Sequence, residues 1–190
     1  MSLTLAQFVK SSPHLEPDGD DLAAASRGNR EAFRRLVHRN RNLVSAVALS
    51  VVKDVAASED ISQEVFLHAW SGLSQLRSFE SFLPWLRQLA RNKANDHLRA
   101  RYRRAALVEP AEPHLVKEAP SLAPTHAETL EDREDRMRLS EAIDALPEST
   151  RETVLLFYRE GQSIAQVALL LGLSEEAVKK RLSRARETLR

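Results

Sequence analysis

The chain has 190 residues, with 28 Lys and Arg against 27 Asp and Glu, so its formal charge of +1 predicts no attraction to nucleic acid or to an acidic membrane. It has no cysteine, which excludes disulfides, thiolate metal sites, thiol nucleophiles and iron–sulfur clusters together. The longest apolar stretch, Leu43 to Val52, is broken by Ser45 and Ser50 and is far below the ~18 residues of a membrane helix. No basic segment followed by an apolar one opens the chain, so a soluble, cytoplasmic protein is expected.

In chain order, apolar residues between Asp20 and Arg104 recur at three and four, as in Phe33, Leu36, Val37 and in Val65, Phe66, Ala69, Trp70. This is the helical period, and it predicts helices near 20–27, 29–52 with a break allowed around Asn40 to Asn42, 58–71 and 82–104. Ser58 followed by Glu59 and Asp60 reads as a helix start, because the hydroxyl accepts orphan N–H bonds and the carboxylates suit the positive dipole end. Gly72 reads as the stop. With Ser81 as cap, Pro84 is the third helical residue, where its missing N–H costs little. Gly72 to Ser81 is therefore expected to be a loop carrying Gln75, Arg77, Ser78 and Phe79.

From Ala105 to Thr129 the pattern lapses: Pro110, Pro113, Pro120 and Pro124 are half of the eight prolines, and acidic residues dominate. A stretch this long without structure is odd inside one compact domain, so it is read as a flexible linker. The expected architecture is all-α, two small helical domains at 20–104 and 130–190 joined by a linker at 105–129. In the second domain, Ser163 and Gln166 match a capping box before a short helix, Ile164 to Leu171. Gly172-Leu173-Ser174 then leads into a last helix through Leu189. Two helices joined by a short Gly-containing turn form a helix-turn-helix. The last helix reaches Arg190 without a Gly or Asn cap.

The five glycines are spaced singly, which excludes phosphate-cradling loops. The six histidines never fall at HxH or HxxxH spacing, and Glu64 with His68 lacks a further ligand nearby. No metal, cofactor or catalytic residue is expected, and the protein is read as not an enzyme.

The charges are segregated. On the last helix Val178, Leu182, Ala185 and Leu189 share one arc, and Lys179, Lys180, Ser183, Arg184 and Glu187 lie opposite, flanked by Arg181 and Arg186. Cations so placed suit a recognition helix in the major groove with outer arginines on phosphates; a solvated basic helix end is the plainer reading. Between Arg87 and Arg104, seven cations face only Asp96, a density suited to a phosphate backbone. Phe79, Phe82 and Trp85 lie beside them. Aromatics next to cations suit single-stranded DNA, which offers bases to stack and phosphates to neutralise, though Phe82 and Trp85 also fit a core. The 58–71 helix has more apolar residues than one stripe needs, with Glu59, Asp60 and Glu64 beside them. That suits a protein partner with cations around an apolar groove, or simply a well-packed amphipathic helix.

Three segments resemble the extracytoplasmic-function (ECF) sigma factors of bacterial RNA polymerase, in the sigma-70 family: Ser58-Glu59-Asp60-Ile61-Ser62-Gln63-Glu64-Val65-Phe66-Leu67-His68-Ala69-Trp70; Phe82-Leu83-Pro84-Trp85-Leu86-Arg87-Gln88-Leu89-Ala90-Arg91-Asn92; and Ala145-Leu146-Pro147 through Gly161 and Gly172 to Val178-Lys179-Lys180-Arg181-Leu182-Ser183-Arg184-Ala185-Arg186. The resemblance implies a promoter-specificity factor whose first domain binds core RNA polymerase at the beta-prime clamp through Asp60, Gln63, Glu64, Phe66, Leu67 and Trp70. It implies recognition and melting of the minus-10 element by Gln75, Arg77, Ser78 and Phe79 on an unpaired base and by Arg87, Arg91, Asn92 and Arg99 on adjoining duplex. The second domain would meet the beta flap and read the minus-35 element with Lys179, Lys180, Arg181, Ser183, Arg184 and Arg186. It further implies that the linker threads the polymerase cleft and that an anti-sigma factor holds the free protein. Ala57 stands where the family commonly has an acidic residue. Two alternatives fit part of the sequence. One is a sigma-like decoy that sequesters an anti-sigma factor, disfavoured by the retained cations of the last helix. The other, a helix-turn-helix repressor, leaves the first domain idle.

Overall fold

The structure is a computed structural model that describes residues 19–76, 78–107 and 130–189. Among these residues there are eight α-helices and no strand: α1 Gly19–Ser26, α2 Arg30–Val52, α3 Val55–Gly72, α4 Phe82–Leu107, α5 Leu130–Ala145, α6 Glu148–Val154, α7 Ile164–Leu171 and α8 Glu175–Thr188. The all-α expectation holds. The helix-turn-helix does too, as α7, the Gly172 turn and α8.

The axis of the molecule is α2, which packs on α1, α3 and α4 and, through its C-terminal half, on α6 and the turn after it. Its N-terminal half buries only one stripe, Ala32, Leu36 and Asn40, whereas from Leu43 to Val52 nearly every side chain is buried. A helix apolar all round must be covered on both sides. Here the first domain covers one side and the second domain the other. Asn40 and Asn42 do not break the helix, because the buried Asn40 donates its side-chain N–H to Leu36 O at 2.9 Å and leaves no orphan polar atom.

The start of α3 corrects the expected boundary. Asp54, not Ser58, is the cap, its carboxylate accepting from Ala57 N at 3.0 Å. Ser58 lies inside the helix, fully buried, and its hydroxyl donates to Val55 O at 2.7 Å. Lys53 in the left-handed region (φ 58°) makes the sharp turn out of α2, so the two helices meet with almost no connection. After Gly72 the chain forms two single 3₁₀ turns, Leu73–Gln75 and Phe79–Ser81, where an open loop was expected. Gly72 itself has ordinary helical φ; it is small because a Cβ there would lie 3.1 Å from Trp85 Cζ2. Helix α4 starts at Phe82, which keeps Pro84 in the first turn, and runs to Leu107, into the span expected to be linker. The Ser81 hydroxyl donates back to Ser78 O at 2.6 Å. The rest of the expected linker lies outside the described residues.

In the second domain the capping box is complete: Ser163 Oγ accepts from Gln166 N at 3.2 Å and Gln166 Oε1 accepts from Ser163 N at 2.9 Å. Gly172 adopts φ 65°, a conformation that closes α7 and that a side chain would strain. Ser174 then caps α8 through Ala177 N at 3.2 Å. Between α6 and α7 the helix widens into a π turn, Leu155–Arg159.

Candidate nucleic-acid interface

Helix α8 divides as its sequence period demands. Val178, Leu182 and Ala185 are buried against the rest of the second domain, and Lys179, Lys180, Ser183 and Arg184 are exposed. Glu176 joins them: with Ala177, Lys179, Lys180 and Ser183 it lines a shallow depression on the outward face. It takes Lys179 Nζ at 2.9 Å, and that hydrogen bond holds the Lys179 ammonium above its ordinary pKa. Sequence reasoning missed Glu176, although its spacing of three, four and seven from Lys179, Lys180 and Ser183 placed it on this face. Arg181 and Arg186 are placed differently from the others. Arg181 donates to Ser149 O at 3.2 Å and Arg186 to Tyr158 Oη at 2.8 Å, so both lie along their own domain.

Helix α4 splits its cations three ways. Arg87 and Arg91 face the second domain. Arg87 grips Glu152 with Nε on Oε1 and Nη2 on Oε2, both at 2.7 Å, and Arg91 reaches Glu148 Oε1 at 2.7 Å and Glu152 Oε2 at 3.2 Å. The Glu152 side chain is wholly buried, and its hydrogen bond raises the Arg87 pKa. Lys93 faces α3: His68 Nδ1 lies 2.9 Å from Glu64 O, a contact a protonated nitrogen makes, which leaves Nε2 to accept from Lys93 Nζ at 2.9 Å. The far end of α4 is solvated. Arg99 pairs there with Asp96 at 2.9 Å, and Arg101, Arg103 and Arg104 surround Tyr102, which is 72% exposed.

Asn92 is exposed and accepts from Gln88 at 2.8 Å. Gln75 is exposed in the first 3₁₀ turn, and Ser78 is exposed just before the second, where its Oγ accepts from Glu80 N at 3.3 Å. Arg77 and the side chain of Phe79 lie outside the described residues. Phe82 is buried, and Trp85 is half-buried over Gly72, so both belong to the packing around α3 and α4.

A third surface lies between α2 and α3. Phe33, Val37, Arg41, Ser62, Gln63, Phe66, Leu67 and Trp70 line an open, largely apolar groove. Phe33 and Trp70 meet edge to face at 4.9 Å, and Leu67 stands 71% exposed. Of the residues anticipated on α3, Gln63, Phe66, Leu67 and Trp70 are in this groove, while Asp60 and Glu64 are exposed one turn apart on the same helix. The α2 wall, Phe33, Val37 and Arg41, was not anticipated as part of it. Its signal was present as a four-residue repeat, but the period alone says which residues share a face and not what covers them. No group of three or more His, Asp or Glu able to hold a metal occurs among the described residues.

The family model for Sigma-70 region 2 matches residues 36–104, and that for Sigma-70 region 4 matches residues 136–189. A protein named Probable RNA polymerase sigma factor RfaY, from Xanthomonas campestris pv. campestris, is 50% identical over 171 residues, covering 90% of this chain but 42% of its own length. RNA polymerase sigma factor NccH of Alcaligenes xylosoxydans xylosoxydans is 30% identical over 92% of this chain and 94% of its own. ECF RNA polymerase sigma-E factor of Haemophilus influenzae is 30% identical over 85% and 87%. The chain is an ECF sigma factor.

Solved structures agree on the fold of this sigma factor. CnrH in complex with the cytosolic domain of CnrY superposes with a TM-score of 0.55 at 28% identity, over 90% of this chain and 94% of that one. RpoE in complex with the anti-sigma factor NepR from Bartonella quintana gives 0.52 at 23% identity, over 83% and 93%. The region 2 match takes in all of α3 and most of α2 and α4, and the region 4 match takes in α6 to α8. No helix among the described residues is long and apolar enough to cross a membrane.

Proposed function

We propose that this sigma factor works in the cytoplasm and directs core RNA polymerase to promoters through three separate surfaces. The groove between α2 and α3, with Leu67 exposed on it and Asp60 and Glu64 nearby, would take the beta-prime clamp. Gln75, Ser78, Asn92 and Arg99, with Arg77, Phe79, Arg87 and Arg91, would take the minus-10 element and hold it melted. Lys179, Lys180, Ser183 and Arg184 would read the minus-35 element in the major groove, while region 4 also meets the beta flap. Phosphoryl-transfer chemistry belongs to the polymerase. The linker, acidic and proline-rich, suits a basic channel that normally holds RNA.

The observation that carries this reading is α8. The second helix of a helix-turn-helix buries one apolar stripe and presents three cations and a serine on the opposite face, the arrangement major-groove readers use. Arg181 and Arg186 are placed for phosphates only if they leave their partners within region 4. Because CnrH was solved with a second protein bound, an anti-sigma factor is the proposed restraint on this chain as well.

The test is reconstitution. Purified protein added to core polymerase gives run-off transcripts from a subset of genomic fragments, and sequencing their 5′ ends yields a shared pair of upstream elements. Absence of initiation on every fragment, with a control sigma factor active, overturns the reading.

A further inference from the structure

The first turn of α8 places an acid among the outward cations. Glu176 is the second residue of the helix, and its side chain is 84% exposed. It lines the same shallow depression as Lys179, Lys180 and Ser183, and its Oε1 accepts from Lys179 Nζ at 2.9 Å. The helix itself does not require it. Glu175 already supplies a carboxylate to the positive dipole end, and an exposed ion pair at a spacing of three adds little stability. On a surface that meets DNA the carboxylate is unfavourable, because it repels phosphate. That repulsion is offset only where the groove offers the carboxylate a donor.

We propose that Glu176 and Lys179 act as a pair that reads one G·C base pair of the minus-35 element, Lys179 on guanine and Glu176 on cytosine, which makes Glu176 a specificity-determining residue. This role rests on the major-groove reading of α8. In the major groove guanine presents N7 and O6 as acceptors, and its partner cytosine presents the N4 amino group as a donor. O6 and N4 are joined by a Watson–Crick hydrogen bond, so they lie about 2.9 Å apart, which is the separation of the Lys179 and Glu176 head groups. The polarity matches as well. The ammonium has three donors, of which one goes to Glu176 and two are left for N7 and O6, while the carboxylate accepts from N4. An A·T pair fits less well. Its acceptors, adenine N7 and thymine O4, lie on either side of the N6 donor, so one ammonium does not take both, and the thymine methyl crowds O4. The N-terminal residues of a recognition helix are the ones that reach base edges, and Glu176 and Lys179 stand in the first two turns of α8.

The test is a selection of promoter sequences by the holoenzyme. A promoter identified by run-off transcription is randomised over its upstream element and bound by core polymerase carrying the unsubstituted protein or a variant, and the retained duplexes are sequenced. The unsubstituted protein enriches G·C at one position in a fixed orientation. Glu176→Ala and Lys179→Ala each lower the enrichment at that position about tenfold, the loss of one base contact, and leave the other positions within about twofold. Glu176→Gln, whose amide suits adenine N6 and N7, shifts the preference there from cytosine toward adenine. Glu176→Ala also binds a duplex of unrelated sequence at least as tightly as the unsubstituted protein, because no phosphate contact is lost. Both side chains are exposed, so the thermal midpoints of the variants stay within a degree or so. Unchanged selection by Glu176→Ala overturns the proposal. Changes that Glu176→Ala and Lys179→Ala produce at two different positions overturn it too, and so does an equal loss of enrichment at every position, which would leave Glu176 a structural role only. If the unsubstituted holoenzyme transcribes but enriches nothing upstream, the major-groove reading of α8 itself fails and the base-pair reading falls with it.

Discussion

Helices α4 and α8 both carry dense runs of Arg and Lys in the sequence, but the structure uses them differently. On α8 the cations at 179, 180 and 184 are exposed, because only one side of the helix is packed. On α4 the first two arginines are held by Glu148 and Glu152, Lys93 is held by His68 and Glu64, and only the far end, with Arg99 beside Asp96, is exposed. The number of neighbouring helices makes the difference. Cation density tells where a phosphate could bind; burial tells whether the cation is available.

The largest effect that separates the two helices is on α8. Lys179→Ala with Arg184→Ala removes two outward cations, each base contact being worth about 1–3 kcal/mol. Transcription from a promoter that depends on its minus-35 element falls at least tenfold, while the thermal midpoint of the free protein stays within a degree or so, since both residues are exposed. Equal loss on a promoter lacking that element would show that these residues act on core binding and not on groove reading.

Most of region 4 was legible because its signals are local. Ser163 with Gln166, Gly172 and Ser174 lie within a few residues of the groups they satisfy, and each caps or turns where expected. The start of α3 was misread because Ser58-Glu59-Asp60 carries stronger dipole cues than Asp54, although both residue types cap helices and the turn at Lys53 decides between them. The Arg87 and Arg91 pairings were not legible at all, since their partners lie 65, 61 and 57 residues away. One clue was available. Leu43 to Val52, useful at first only to exclude a membrane span, is apolar on every side and so requires cover on two faces. The second cover is region 4.

An intermediate effect tests how α4 is seated. Gly72→Ala brings a methyl to 3.1 Å from the Trp85 ring, and overpacking of this kind costs about 1–3 kcal/mol. The urea midpoint falls, and tryptophan emission shifts as the ring moves. A stability gain, the usual result for Gly→Ala in a helix, would mean that Trp85 yields freely and does not fix the start of α4.

Arg181→Ala sharpens the contrast within α8 itself. Its hydrogen bonds to Ser149 O and Thr153 Oγ1 hold it to region 4, so the substitution lowers stability by about 0.5–1.5 kcal/mol. If Arg181 serves only this structural role, the salt dependence of DNA binding is unchanged. A slope reduced by about one unit would place it on a phosphate.

The smallest expected difference is in how the two regions respond to acid. On α1, which packs on α2 ahead of the region 2 match, Asp21 is held below the usual carboxylate range first by its hydrogen bond to Arg35, with burial opposing and Arg39 assisting. In region 4, burial pushes the Glu160 carboxyl up, and the attraction of Arg159 and Arg41 recovers only part of that. The signs are therefore opposite. Asp21 contributes stability above its unfolded pKa of about 3.9, and this is lost as pH falls through its lower folded value. Glu160 favours the fold below its unfolded pKa of about 4.3, and this is lost as pH rises through its higher folded value. At pH 7, Asp21→Asn lowers the urea midpoint and Glu160→Gln raises it, each by an amount on the order of an exposed ion pair, about 0–1 kcal/mol. On acidification the Glu160→Gln advantage disappears first, as pH falls toward the unfolded carboxylate value of about 4.3, and the Asp21→Asn deficit only below about 3.9. If both differences vanish together, a shared unfolding event and not the local environment of each carboxylate governs the acid response.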